Sequence, residues 1–182
     1  MYKVLIVDDE QLIRSGMIAR FQYLNFKFER IREAASGVEA LALLEKEPAD
    51  IVITDIKMPD MDGMTLIREA KEKYPGTQFV ILSGYAEFEY AETAIELGVK
   101  SYLLKPISND ELKRVMRKLF ETLEKERQME VEIFRKHQLE TEQKGWLQEK
   151  AVNHLWQDNA AFLTEEEAAQ LKSTCPELWK KE

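Results

Sequence analysis

The chain has 182 residues and a formal charge of −8: room for one domain and a sizeable appendage, with no cluster of Lys and Arg of the kind a nucleic-acid platform needs. Its single cysteine, Cys175, excludes an intramolecular disulfide and fits a reducing compartment. The apolar stretch Val4 to Val7 is too short for a signal peptide and no run approaches the ~18 apolar residues of a membrane span, so a soluble cytoplasmic protein is expected.

Five short apolar runs alternate with helical patterns. Val4-Leu5-Ile6-Val7 comes first and is followed at once by Asp8 and Asp9. A weaker run surrounds Ile31, within the heavily charged stretch Phe26 to Arg32. Ser36-Gly37-Val38-Glu39 reads as a capping box that opens a helix, and Pro48 closes it. Ile51-Val52-Ile53 is the third run, with Asp55 just past it. Asp62-Gly63 opens the next helix and Pro75-Gly76 stops it. Phe79-Val80-Ile81-Leu82 precedes Ser83, and the helix after it ends at Gly98, a left-handed C-terminal cap. Tyr102-Leu103-Leu104 leads into Lys105, and Ser108-Asn109-Asp110-Glu111 is a second capping box, opening the last helix. Runs that are continuously apolar, rather than alternating, predict parallel strands covered on both faces. The order βαβαβαβαβα predicts an α/β domain with right-handed crossovers and helices on both sides.

Polar residues follow these runs in a regular way. In an open α/β sheet the crevice beyond the carboxyl ends of the strands is where ligands bind. Four segments therefore deliver Asp8, Asp9, Asp55, Ser83 and Lys105 to one edge. Three close carboxylates repel one another, and a hard divalent cation relieves the repulsion. Mg²⁺ suits best, since it is held by one or two carboxylates together with waters and phosphate oxygens. Lys105 adds a fixed positive charge. Phosphoryl transfer asks a protein chiefly to position groups and neutralise spreading charge, and a carboxylate can itself be the nucleophile. Each residue taken alone has a plainer reading: acids at a helix start, a surface lysine, a half-buried strand tyrosine at 102. Their joint placement is what points to chemistry. Asp60 and Asp62 read as turn and cap residues.

Val7-Asp8-Asp9-Glu10, Ile53-Thr54-Asp55-Ile56-Lys57-Met58-Pro59-Asp60-Met61-Asp62-Gly63, Leu82-Ser83-Gly84 and Leu104-Lys105-Pro106 resemble the receiver domain of bacterial two-component response regulators. The resemblance covers residues 2 to about 120. It implies a flavodoxin-like, doubly wound sheet of five parallel strands in the order 2-1-3-4-5, with a C-terminal helical extension here. It also implies that Asp55 accepts a phosphoryl group from the phosphohistidine of a sensor histidine kinase. Asp9 and Asp55 would bind Mg²⁺ directly, Asp8 largely through water, and the backbone carbonyl of Lys57 would complete the protein ligands. Lys105 and Ser83 would contact the phosphoryl group, and Tyr102 would turn inward as Ser83 moves. A cis peptide bond before Pro106 would aim Lys105 inward. Receivers of this kind are switches and phosphoryl acceptors rather than enzymes.

The remainder is helical in character. Leu112, Met116, Leu119 and Leu123, continued by Glu126, Glu130, Ile133 and His137, form a heptad-like stripe whose second half is broken by charge. The stripe admits two readings that can hold together: a coiled-coil seam making a homodimer, or packing of Leu112 to Leu123 on the parent sheet. Trp146, Leu147, Leu155, Trp156, Phe162 and Leu163 are too apolar for a free linker, yet about forty residues are too few for an independent core. We therefore expect a receiver at 1–120, a long last helix or coiled-coil linker at 108–145, and a helical segment at 146–182 that begins a truncated further region. His137 and His154 read as surface histidines, and Cys175 as an incidental thiol.

Tyr85-Ala86-Glu87-Phe88-Glu89-Tyr90-Ala91 and Val99 to Ile107 are similar to regulators of the YesN type, which join a receiver through a helical region to an AraC-type DNA-binding domain. That implies transcriptional control through an output domain absent from this chain. The alternative is a stand-alone receiver whose helical tail engages another protein. A Mg²⁺-dependent phosphatase on a similar sheet is disfavoured, because Lys57 stands where a second acid would be needed and no cap insertion is present.

Overall fold

The computed structural model describes residues 1–84 and 88–158. Tyr85 to Glu87, Phe162, Leu163 and Cys175 lie outside them, as do the side chains of Trp146, Leu147, His154, Leu155 and Trp156. The elements in chain order are β1 (Lys3–Val7), α1 (Gln11–Tyr23), β2 (Arg30–Ala34), α2 (Gly37–Lys46), β3 (Ile51–Thr54), α3 (Gly63–Lys73), β4 (Gln78–Ser83), α4 (Phe88–Glu96), β5 (Ser101–Leu104) and α5 (Asn109–Asp158). The five strands form one parallel sheet in the order β2-β1-β3-β4-β5. This is the flavodoxin-like arrangement that the resemblance implies.

Alternation of side chains along each strand divides the core in two. Val4 and Ile6 of β1 join Met17, Phe21, Ile53, Leu103, Leu112 and Met116 on the side covered by α1 and α5. Leu5 and Val7 join Leu44, Val52, Leu66, Ile67, Phe79 and Ile81 on the side covered by α2, α3 and α4. Phe21 and Phe79 are fully buried, and burial of each contributes about 2 kcal/mol. Because β1, β3 and β4 are buried on both faces, their sequences are continuously apolar between polar end residues.

β2 is an edge strand, which explains its charge. Its Arg32 donates to the carbonyl of Leu43 at 2.8 Å and also to that of Glu47, fastening the end of α2 to the sheet. Arg30 pairs with the Glu47 carboxylate at 3.0 Å. Helix boundaries follow the predicted punctuation. Ser36 accepts from the Glu39 amide at 3.2 Å, while the Glu39 carboxylate accepts from the Ala35 amide at 2.7 Å, one residue before the usual target of a capping box. Ser36→Ala is expected to lower stability by about 1 kcal/mol, read as an earlier urea midpoint; an unchanged midpoint would mean that Glu39 suffices alone. Asp62 caps α3 by accepting from Thr65 at 2.7 Å, and Ser108 caps α5 by accepting from Glu111 at 3.1 Å. Gly98 takes φ +62° beyond α4, as a left-handed cap requires.

The molecule divides into two compact units, Met1–Glu126 and Arg127–Glu182, so the boundary falls within α5. In the first unit Leu112, Met116, Leu119 and Leu123 are all buried in the core against β1, β3 and β4. The first half of the heptad-like stripe is therefore occupied by the chain's own sheet. In the second unit the described residues are helical to Asp158, and Met129, Ile133, Phe134 and Leu139 are exposed. His137 is also exposed. Among the described residues, no helix is long and apolar enough to cross a membrane.

Candidate functional site

Four strand ends converge to make the site. Asp8 leaves β1 with its amide donating to Ala34 of β2 at 3.2 Å, and Asp55 leaves β3 with its amide donating to Val7 at 2.9 Å. These bonds continue the parallel ladder one step past each strand, so the two carboxylates emerge side by side. The amide of Lys105 donates to the Ser83 carbonyl at 2.8 Å, bringing the end of β5 level with that of β4. The peptide bond between Lys105 and Pro106 is cis, as expected. Arg20 of α1 donates to the carbonyl of Ile107 just beyond it.

The resulting pocket is acidic and largely buried. Asp8 is 2% exposed and Asp55 8%, whereas Asp9 is open to solvent. Lys105 Nζ donates to Asp8 Oδ2 at 2.7 Å and to Asp55 Oδ2 at 3.1 Å. Burial alone would lower the pKa of this ammonium, but the hydrogen bonds and charges of Asp8 and Asp55 outweigh that and raise it above the ordinary lysine value. The other oxygens are also engaged: Asp8 Oδ1 accepts from the Glu10 amide at 3.0 Å and Asp55 Oδ1 from the Ile56 amide at 2.7 Å. Thr54, wholly buried, donates its hydroxyl to the Asp55 carbonyl at 2.8 Å and so fixes the backbone there.

Asp8, Asp9 and Asp55 can each present one carboxylate oxygen within 4.8 Å of the others. Oxygens about 2.1 Å from Mg²⁺ stand about 3 to 4 Å apart on an octahedron. The cluster therefore fits a hydrated Mg²⁺ that takes some of these carboxylates directly and another through water. The donors are all hard oxygens, which suits that ion and not a soft metal.

The remaining predicted residues lie at the same edge. Ser83 is the last residue of β4, rather than following it, and is fully buried. Tyr102 sits in β5 opposite Ile81 and packs against the core on the α4 side. Lys57 follows Asp55 by two residues, with its side chain exposed and its ammonium 6.0 Å from the ring centre of Tyr90 on α4. Asp60, at φ +66°, is a turn residue and Asp62 a cap. Sequence reasoning passed over Arg14, which reaches back from α1 to the carbonyls of Asp8 and Asp9 at 2.7 and 3.4 Å. The only available signal was its place one helical turn after the acidic pair.

Comparison with known proteins agrees with this geometry. The family model described as the response regulator receiver domain matches residues 4–117. The transcriptional regulatory protein YesN of Bacillus subtilis is 43% identical over 112 residues, covering 62% of this chain and 30% of YesN. The transcriptional regulatory protein HptR of Staphylococcus aureus is 37% identical over 123 residues, covering 68% of this chain and 48% of HptR. The chain thus spans from about a third to a half of these relatives' length. Among solved structures, the REC domain of AraT, a response regulator from Geobacillus stearothermophilus, is 43% identical with a TM-score of 0.64, covering 69% of this chain and 98% of that one. A two-component transcriptional regulator AraC from Clostridium phytofermentans is 31% identical with a TM-score of 0.62, covering 71% and 99%. Sheet order, motif placement and a match over most of the first unit lead to one conclusion: this chain belongs to the response regulator receiver domain family of two-component systems.

Proposed function

We propose that Asp55 accepts a phosphoryl group from a sensor histidine kinase in the presence of Mg²⁺, and that the domain thereby switches an output. The observation that carries this reading is the juxtaposition of three carboxylates within 4.8 Å and a lysine ammonium 3.1 Å from Asp55. A carboxylate oxygen of Asp55 attacks phosphorus, the bond from phosphorus to the donor's imidazole nitrogen breaks, and the nitrogen keeps the electron pair and takes up a proton. Mg²⁺, held by Asp9 and Asp55, by Asp8 through water and by the Lys57 carbonyl, would neutralise charge spreading onto the phosphoryl oxygens. Lys105 supplies the opposing positive charge from the other side, and Ser83 offers a hydroxyl. Burial of Asp8 and Asp55 strengthens each of these interactions relative to water.

A phosphoryl group on Asp55 would compete with Asp8 for Lys105 and recruit Ser83. Contacts available in only one state bias a two-state element, and Tyr102, opposite Ile81 on the neighbouring strand β5, is the side chain such a shift of Ser83 would move. The domain is the acceptor in this chemistry, and its output is transcriptional control through a DNA-binding domain beyond this chain, as in the transcriptional regulators it resembles. Pairing of two copies would fall to the segment after Glu126, where Met129, Ile133 and Phe134 are exposed, because Leu112 to Leu123 serve the core. The same exposed residues would support the second reading, in which the helical tail engages another protein.

Intact mass after incubation with acetyl phosphate tests the proposal. One phosphoryl adduct is expected with Mg²⁺ and none with EDTA or in Asp55→Asn. A chain that stays unmodified with acetyl phosphate and with a phosphorylated kinase would sink it.

A further inference from the structure

We propose that Arg14 is a positioning residue of the acidic pocket, one whose guanidinium holds the Asp8–Asp9 backbone and so sets the spacing of the carboxylates that take the divalent cation. The inference rests on the Mg²⁺-dependent reading above and adds a residue to it.

Arg14 is the fourth residue of α1. Helical side chains lean toward the helix N-terminus, which carries its guanidinium back over the loop between β1 and α1. That loop is only Asp8, Asp9 and Glu10. Nη1 donates to the Asp8 carbonyl at 2.7 Å and lies 3.4 Å from the Asp9 carbonyl. Nε donates to Glu33 Oε2 on β2 at 3.2 Å, and the Arg14 side chain is only 13% exposed. A planar fork can face the loop with one edge and Glu33 with another, which a lysine ammonium cannot reproduce.

The two acids differ in what else restrains them. Asp8 is fixed by its own carboxylate, which accepts from Lys105 and from the Glu10 amide. Asp9 has no side-chain hydrogen bond among the described residues, so its direction depends on its backbone. Arg14 is the side chain that touches that backbone. A group that orients a metal ligand typically changes metal affinity by ~10–100-fold when removed.

Charge alone argues in the opposite direction. A cation beside an acidic pocket repels Mg²⁺, so deleting it would tighten binding. Glu33 offsets most of the Arg14 charge, however, and solvent screens what remains across a hydrated surface. Geometry therefore outweighs charge, and the two effects predict opposite signs.

Divalent affinity of the full chain decides between them, measured by calorimetry with Mg²⁺ and by paramagnetic resonance with Mn²⁺, at a temperature where circular dichroism reports a folded domain. Arg14→Met is expected to weaken binding roughly tenfold, and to raise the Mg²⁺ needed for half-maximal phosphorylation while leaving the rate at saturating Mg²⁺ close to wild type. Arg14→Lys, which keeps the charge, is expected to show a smaller loss, and it carries the same test should the methionine variant not fold. Unchanged or tighter binding in Arg14→Met, beside a wild type that binds, overturns the inference and leaves the phosphoryl-acceptor reading standing. No binding by the wild type overturns that reading first, and this inference with it.

Discussion

Gly63→Ala is expected to lose about 3 kcal/mol of stability, at the upper end of overpacking effects, and to melt roughly 12 °C earlier. Gly63 is the first residue of α3 and is buried against the segment that carries Asp55. A Cβ there would stand 2.0 Å from the Asp55 carbonyl oxygen, 3.0 Å from its carbon and 3.2 Å from the Ile56 Cα. All three neighbours are backbone, so no side chain can rotate away. The Gly63 amide also donates to the Ile56 carbonyl at 2.8 Å, which draws the two segments together. Relief requires either α3 or the Asp55 backbone to retreat. Misplacement of a reacting group by ~1 Å costs on the order of a hundredfold in rate, so phosphorylation of the folded fraction should fall by about that factor. Thermal melts and the mass assay would read the two effects separately. A variant that melts with the wild type and is modified at the same rate would refute the argument.

Lys105→Met should have the second large effect, and its size changes with pH. Removing the ammonium leaves the buried Asp8 and Asp55 carboxylates facing one another, without the cation that bridges them at 2.7 and 3.1 Å. Breaking a fully buried pair costs about 3 to 5 kcal/mol. The Lys105 side chain is 19% exposed, which reduces the expected loss to about 2 kcal/mol near neutral pH without metal. The raised pKa of Lys105 in the wild type means that its contribution is complete below the unfolded lysine value. It is lost only as pH climbs through the higher folded value, so the wild type draws on it throughout the neutral range. In the variant the two carboxylates lack that counter-charge, so the difference between the proteins should persist across the neutral range and narrow as pH climbs through the folded lysine value. Urea titrations should therefore find the two proteins further apart at neutral pH than at strongly alkaline pH, with Mg²⁺ narrowing the neutral gap. Loss of a charge-stabilising group also slows transfer by about 10²–10³. An equal gap at every pH would show that the methionine acts through packing rather than charge.

The strands and the pocket were readable for one reason. β1, β3 and β4 are buried on both faces and so are written as unbroken apolar runs, and the polar residues that end them lie at a shared edge. β2 was harder to read because an edge strand spends its side chains on other partners: Arg30 and Arg32 bind the end of α2, which is invisible to periodicity. The stripe from Leu112 to Leu123 was ambiguous in principle, since docking on a sheet and pairing of two helices both demand apolar residues at three- and four-residue spacing. Only tertiary structure separates them. Arg14 escaped notice for a similar reason: its role depends on the return of one helix over the loop that precedes it, and on Glu33, nineteen residues away.

The strand order also bears on how the domain comes into being during synthesis. β1 is interior, and its partner β3 arrives only when Ile51 pairs with Val4. The acids of the pocket can therefore meet before their lysine exists, because Lys105 follows Asp55 by fifty residues. Until it emerges, a dissolved divalent cation is the available counter-charge. Closure waits longer still, since Leu123 belongs to the same core as Val4. The exposed residues of α5 after Glu126 take no part in that core, so its closure needs nothing from them.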